Sequence, residues 1–91
     1  MTRDEMLVEL KGFVVEELLD GRGAGFDEHT PLLAWGVIDS LSAAQLVSFA
    51  EERLGIDVPQ REVTPDHLEN LAAFVDMLAR LAPAAASRPG A

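Results

Sequence analysis

Ser40 is the residue whose type and position in this sequence point most directly to chemistry. It follows Asp39 and stands immediately before an apolar-periodic run from Leu41 to Leu54. Asp and Ser in front of such a run are typical helix N-caps, so the sequence predicts Ser40 where a loop meets a helix, with its hydroxyl facing water. Three roles are open for that hydroxyl: a helix cap, a catalytic nucleophile or a point of covalent attachment.

Catalysis by Ser40 would require a base within hydrogen-bond reach of its hydroxyl. The sequence contains two histidines, His29 and His67, and each has an acidic neighbour, Glu28 or Asp66. The Gly-x-Ser-x-Gly elbow of many serine hydrolases is absent from the sequence. We interpret both histidines as surface or capping residues and expect that the protein is not an enzyme.

Metal binding and thiol chemistry have little basis in the residue types. The sequence has no cysteine, so any thiol must come from another molecule. Three pairs of adjacent acidic residues fall in the predicted helices, and adjacent residues do not face one site on a helix. These pairs are Asp4 and Glu5, Glu16 and Glu17, and Glu51 and Glu52. No metal site is expected.

A phosphate bonded to the Ser40 oxygen would lie in a favourable place. The first turn of the helix that follows offers free backbone N–H groups and the positive end of the helix dipole. The simpler alternative is that Asp39 or Ser40 only caps the helix, and spacing alone favours that alternative.

The composition is that of one small, acidic domain. The chain has 91 residues, a net charge of −9 and a pI near 4.4. Such a charge argues against binding to nucleic-acid backbones and favours basic protein partners, or it simply maintains solubility. No apolar run approaches the roughly 20 residues of a membrane span. Met1 to Glu5 is acidic where a signal peptide would be basic, so a cytoplasmic location is expected.

Apolar periodicity predicts helices separated by one long loop. Residues 4–20 have apolar side chains spaced at three and four, which is typical of an amphipathic helix. Residues 21–39 show no sustained period, and we expect this loop to be pinned to the core by apolar anchors. The expected anchors are Phe26, Pro31, Leu32, Leu33, Trp35, Val37 and Ile38.

The helix after Ser40 has two distinct faces. Projection at about 100° per residue gathers one apolar stripe that must be buried, namely Ala43, Leu46, Val47, Ala50 and Leu54. The opposite face contains Gln45, Ser48 and Glu52, with Leu41 among them and Phe49 at the edge. Leu41 and Phe49 either contact partners or pack locally onto the loop.

The C-terminal part predicts one short helix and one longer helix. Thr64 caps the short helix over residues 65–70, and the last helix follows from Leu71 until Pro83 ends it. Residues 84–91 are expected to be a disordered tail. The predicted fold is all-α, a small four-helix bundle of three main helices plus one short helix.

The stretch Gly36-Val37-Ile38-Asp39-Ser40-Leu41 resembles the Gly-x-Asp-Ser-Leu attachment motif of acyl carrier proteins. The extra apolar residue after the glycine is similar to D-alanyl carriers and free-standing carriers of specialised metabolism. The resemblance covers residues 4–82 in family order, including Glu51 to Ile56 and Glu69 to Leu71. It implies a carrier domain over residues 1–82 with the acyl-carrier type of bundle.

The resemblance implies that Ser40 is esterified with 4′-phosphopantetheine from coenzyme A by a phosphopantetheinyl transferase. The thiol of this arm would hold acyl or aminoacyl groups as thioesters, loaded by an adenylating enzyme or acyltransferase and passed to a downstream synthase. Asp39 would position the serine and face the transferase. The other implied partner-binding residues of this monomeric carrier are Leu41, Gln45, Phe49, Glu52, Asp66 and Glu69.

One departure from the family pattern narrows the expected pathway. Carriers of fatty-acid synthesis place acids just after the serine, whereas Ser42 and Gln45 stand here. This favours a carrier in a polyketide, nonribosomal peptide or related pathway, and the Asp before the serine resembles acyl carriers more than peptidyl carriers. The rival hypothesis is a helical interaction module with an unmodified Ser40.

Overall fold

The structure is a computed structural model that describes residues 2–86, and within this range it is all-helical, without a strand. The three α-helices are α1 (Arg3–Phe13), α2 (Ser40–Leu54) and α3 (Leu71–Ala86). This confirms the predicted all-α class. In the described part of the chain, no helix combines the length and the apolarity that crossing a bilayer requires.

The first helix begins with a capping box. The Thr2 hydroxyl accepts a hydrogen bond from the Glu5 N–H at 3.1 Å, and the Glu5 carboxylate accepts one from the Thr2 N–H at 2.8 Å. A π-helical turn, Val14–Leu18, continues α1. The chain then leaves the helix through Asp20 and Gly21, which both have positive φ angles. The predicted helix over residues 4–20 is therefore present, with a widened last turn.

The three helices meet at one apolar core. In α2, the predicted stripe is confirmed, because Ala43, Leu46 and Ala50 are buried. Val47 and Leu54, from the same stripe, are partly buried against the core. α1, its π-helical turn and α3 supply the remaining helical core residues, which are Met6, Leu10, Val14, Leu71, Phe74, Val75, Met77 and Leu78.

The loop before α2 is tied to the start of α3. The Leu32 N–H donates to the Glu69 carbonyl at 2.8 Å, and the Ala72 N–H donates to the Glu28 carbonyl at 2.9 Å. The Leu32 side chain is fully buried, so this residue is anchored both by its backbone hydrogen bond and by its apolar side chain. The loop is thus held at a defined place on the core, as predicted, and it delivers the chain to the start of α2.

Two of the predicted loop anchors are wrong. Phe26, Leu32 and Ile38 are buried, whereas Trp35 is 69 % exposed and Leu33 is 40 % exposed. The reason is that the chain reverses around Leu32, whose carbonyl accepts hydrogen bonds from the N–H groups of residues 37 and 38. This reversal uses a left-handed Gly36 at φ 70° and leaves Trp35 on the outer side of the turn.

The predicted short helix over residues 65–70 is not confirmed. A 3₁₀ turn (Gln60–Glu62) is followed by hydrogen-bonded turns, in which the Leu68 N–H donates to the Thr64 carbonyl at 3.0 Å. The segment remains in turns, and Asn70 then caps α3 by accepting a hydrogen bond from the Ala73 N–H at 2.8 Å.

The predicted end of the last helix at Pro83 is also wrong, since α3 extends to Ala86. Proline removes one N–H donor, and residues on both sides of it can keep helical angles near a helix end. The rest of the predicted tail, residues 87–91, lies outside the described residues.

Replacing Leu46 by Ala should lower the free energy of unfolding by about 2–5 kcal/mol, because the fully buried side chain leaves a cavity. The matched control is Leu41→Ala on the same helix, where a side chain 69 % exposed should contribute within about 0.5 kcal/mol. Urea denaturation followed by far-UV circular dichroism measures both. Equal losses in the two variants would contradict the assignment of the buried face of α2.

Candidate functional site

Asp39, and not Ser40, caps α2. Asp39 Oδ1 accepts hydrogen bonds from the Ser42 N–H at 2.9 Å and from the Ser42 hydroxyl at 3.2 Å. Ser40 is the exposed first residue of the helix, and its hydroxyl has no hydrogen-bond partner among residues 2–86. Of the three roles considered for that hydroxyl, capping is therefore performed by its neighbour, and the Ser40 oxygen is left facing solvent.

The charge at this helix start is fixed by the cap. The hydrogen bond from the Ser42 N–H, followed by that from the Ser42 hydroxyl, lowers the pKa of Asp39 from its ordinary value. The carboxylate is consequently ionised at neutral pH. A negative charge at this position also complements the positive end of the α2 dipole.

Both histidines are engaged away from Ser40. His29 Nε2 lies 3.3 Å from Glu28 Oε1, and His67 Nδ1 lies 2.6 Å from the Glu62 carbonyl oxygen. Within the described chain, no imidazole lies within hydrogen-bond reach of Ser40, and no group of three or more His, Asp or Glu side chains is placed to hold a metal ion. The geometry at Ser40 is that of an accessible hydroxyl with no imidazole beside it in the described part of the chain.

An open groove of about 700 Å³ lies beside Ser40, and we call it the Ser40 groove. One wall comes from α2 and the other from residues 60–68. Most of its lining is apolar or small. The lining residues are Leu33, Asp39, Ser40, Ala43, Ala44, Val47, Ser48, Gln60, Val63, Thr64, Pro65 and Leu68.

Part of the predicted partner face lies at a second groove. Gln45, Phe49 and Glu52 line a groove of about 380 Å³ between α2 and the end of α1. The Phe49 ring stacks on Phe13 with centroids 4.5 Å apart, so this side chain packs locally, onto α1 and not onto the loop. Ala44 and Ser48 line both grooves and form the low ridge between them.

The other predicted partner residues do not line either groove. Leu41 is 69 % exposed directly after Ser40. Asp66 and Glu69 are exposed on the turns before α3. The structure therefore gathers Ser40, Asp39 and Leu41 at one helix start, whereas Asp66 and Glu69 belong to the segment between the 3₁₀ turn and α3.

A comparison with protein families accounts for most of the chain. The family described as "Phosphopantetheine attachment site" matches residues 14–78, a range that includes Ser40 and both walls of its groove. The chain belongs to this family. The predicted likeness to acyl carrier proteins is confirmed as membership of this family. The prosthetic group that attaches to members of the family is 4′-phosphopantetheine.

A solved structure supports the same fold for this phosphopantetheine-attachment domain. A chain in "Crystal structure of FAD-dependent dehydrogenase" matches with a TM-score of 0.72 and 34 % identity, over 77 % of this chain and 99 % of that chain. Since 77 % of these 91 residues correspond to nearly all of that chain, it has about 70 residues. No curated protein sequence matches this chain.

Sequence reasoning missed the far wall of the Ser40 groove. Val63 and Leu68 face α2 across that groove, and Leu33 contributes at its end. The available signal was the pair of apolar residues on either side of Thr64 and Pro65. That pattern also predicts a helix start, whereas the turns that form there place both side chains along one groove.

Removing the cap should weaken α2. Asp39→Ala loses the acceptor for the Ser42 N–H and should lower stability at neutral pH, whereas Asp39→Asn keeps a good cap and should retain most of it. Thermal unfolding of the two variants and the wild type compares them. Equal destabilisation by Ala and Asn would show that the carboxylate, and not the hydrogen bond, is what matters.

The same cap predicts a dependence on pH. Because the pKa of Asp39 is lower in the folded state than in the unfolded state, its contribution to stability is present above the unfolded value of about 3.9 and is lost as the pH falls through the lowered pKa. An NMR titration of the Asp39 carboxyl carbon and the Ser42 amide measures this directly. Titration of Asp39 at or above its ordinary value would contradict the capping geometry.

Proposed function

We propose that this chain is a carrier protein that holds acyl or aminoacyl groups as thioesters on a 4′-phosphopantetheine arm attached to Ser40. The observation that carries the proposal is the free, exposed Ser40 hydroxyl at the first position of α2, inside the range matched by the family. The bound group supplies the thiol that this cysteine-free chain lacks. The protein acts as a carrier and not as a catalyst.

Asp39 prepares Ser40 for modification. By taking the Ser42 N–H and hydroxyl, its carboxylate fixes the first turn of α2 and leaves the Ser40 oxygen without an internal partner. A phosphate ester on that oxygen lies at the positive end of the helix dipole. In this proposal Asp39 is a positioning residue that also faces the transferase.

The Ser40 groove supports an apolar or partly apolar cargo. Its α2 wall presents Ala43 and Val47, and its opposite wall presents Val63 and Leu68. These side chains offer a surface on which an acyl or aminoacyl group can shelter from water, since apolar surface gains free energy on leaving water. The groove lies directly beside the point of attachment.

The pathway we propose is of the polyketide or nonribosomal peptide type, with the protein acting in the cytoplasm as a monomer. Its partners would be a phosphopantetheinyl transferase, an adenylating enzyme or acyltransferase that loads it, and a downstream synthase. The neutral Ser42 and Gln45 after the attachment point support dedicated partners that dock on a partly apolar surface. Glu52, Asp66 and Glu69 would add charge at its edges.

The solved relative supports one further class of partner. The crystal structure that contains the matching chain is described as that of an FAD-dependent dehydrogenase, and the matching chain has the size and fold found here. We therefore propose that a flavin-dependent dehydrogenase is among the enzymes that act on the tethered cargo. In such a step the cargo would lose two electrons and two protons, and the flavin would be reduced.

Intact-mass measurement tests the attachment. Incubation of the chain with coenzyme A and a broad-specificity phosphopantetheinyl transferase should add the mass of one phosphopantetheine, because the Ser40 hydroxyl is exposed and unpaired. Ser40→Ala should abolish the gain, whereas the matched control Ser48→Ala, on the same face of α2, should retain it. No gain, or a gain that survives Ser40→Ala, would favour the rival function of an unmodified interaction module.

The docking surface is tested by two exposed apolar residues, one at the start of α2 and one in the loop before it. Leu41→Ser and Trp35→Ser should each lower the kcat/KM of the transferase or the loading enzyme about tenfold, the effect of losing about 1.4 kcal/mol of apolar contact. Val8→Ser is the control, because Val8 is equally exposed but lies on α1. Equal effects at all three sites, or loss of helicity in the first two, would contradict a docking role.

A further inference from the structure

Three side chains connect the far wall of the Ser40 groove to α3. Glu62 and His67 belong to the wall segment, residues 60–68, and Arg80 belongs to α3. Arg80 Nη2 lies 3.1 Å from Glu62 Oε1 and 3.3 Å from His67 Nε2. None of the three lines the groove. We call them the wall cluster.

The hydrogen bonds of the wall cluster assign the state of the imidazole. His67 Nδ1 lies 2.6 Å from the Glu62 carbonyl oxygen, which can only accept, so Nδ1 carries the proton. The Arg80 guanidinium can only donate, so His67 Nε2 accepts from it. A proton on Nδ1 and a free Nε2 satisfy both contacts at once.

The wall has little regular structure of its own. Its backbone bonds are local, from the Val63 N–H to the Gln60 carbonyl at 3.0 Å and from the Leu68 N–H to the Thr64 carbonyl at 3.0 Å. α3, in contrast, carries the fully buried Phe74 and is fixed in the core. Side-chain bonds that join the two therefore transfer the rigidity of α3 to the groove.

We propose that the wall cluster is a positioning element that fixes the far wall of the groove against α3 and thereby limits how far the groove opens for an apolar cargo. Glu62 is the least exposed member of the cluster, with a side chain 18 % exposed. Its carbonyl oxygen accepts a hydrogen bond from the His67 imidazole, and its carboxylate accepts one from the Arg80 guanidinium. Loss of His67 or Arg80 frees the wall and enlarges the groove. The part that concerns cargo rests on the carrier function proposed above.

Amide hydrogen exchange of the full, unmodified chain tests the positioning role. His67→Ala and Arg80→Ala should speed exchange at Val63 and Leu68 about fivefold, as expected for the loss of one hydrogen bond, and leave the α1 core amides unchanged. His67→Asn, which keeps a donor for the Glu62 carbonyl, should restore slow exchange in part. His29→Ala is the matched control, since His29 is an exposed histidine that touches neither wall.

The opening of the groove is measured with a neutral apolar dye, N-phenylnaphthylamine. His67→Ala should bind the dye more tightly than the wild type and the His29→Ala control. Unchanged exchange and dye binding in both wall variants would overturn the proposal. It would also be overturned if exchange rose equally throughout α1, α2 and α3, because the cluster would then serve global stability alone.

The cargo part is tested on protein loaded at Ser40 with octanoyl- or hexadecanoyl-phosphopantetheine. In the wild type, hydroxylamine should cleave the hexadecanoyl thioester faster than the octanoyl thioester, because a groove with a fixed wall shelters the longer chain less. In His67→Ala, cleavage of the hexadecanoyl thioester should slow toward the rate of the octanoyl thioester. An unchanged difference between the two chains would overturn the cargo part. Failure to load Ser40 at all would instead contradict the carrier function, and the exchange result would still decide the role of the wall cluster.

Discussion

The hydrogen bonds from Ser42 to the Asp39 carboxylate decide what the start of α2 can do. Two residues with good capping side chains, Asp39 and Ser40, stand side by side, and only one of them can cap the helix. Because Asp39 takes the cap, the Ser40 hydroxyl is left exposed and unpaired within the described chain. The cap thus distinguishes Asp39, whose carboxylate is used within the helix, from Ser40, whose hydroxyl stays free.

The position of that helix start depends on long-range contacts. The loop before α2 is tied to α3 through Leu32, whose side chain is fully buried and whose N–H bonds the Glu69 carbonyl. On the other side of the Ser40 groove, Arg80 of α3 donates a hydrogen bond to the carboxylate of Glu62, which belongs to the far wall segment. α3 therefore supports both the segment that delivers Ser40 and the surface that faces it, although it contributes no residue to the lining of the groove.

Much of the fold could be predicted from the sequence, because amphipathic spacing determines which side of a helix is buried. The stripe containing Leu46 and Ala50 and the place of Ser40 at a helix start both follow from local patterns. The exposure of Trp35 did not, since it depends on the reversal around Leu32, a residue fixed by a distant carbonyl. The local pattern over residues 65–70 likewise predicts a helix, although turns form there. Asn70, at the end of this segment, caps α3, and the local sequence does not show which helix such a residue will cap.

Tandem mass spectrometry of the protein isolated from cells that make it tests the attachment at Ser40 most directly. Trypsin releases residues 23–53 as one peptide, which contains Ser40, Ser42 and Ser48 and thus three competing hydroxyls of the same type. The geometry of the Asp39 cap predicts that phosphopantetheine is found on this peptide and that fragment ions place it on Ser40 alone. A peptide that is never modified, or a group located on Ser42 or Ser48, would contradict the proposed carrier function at Ser40.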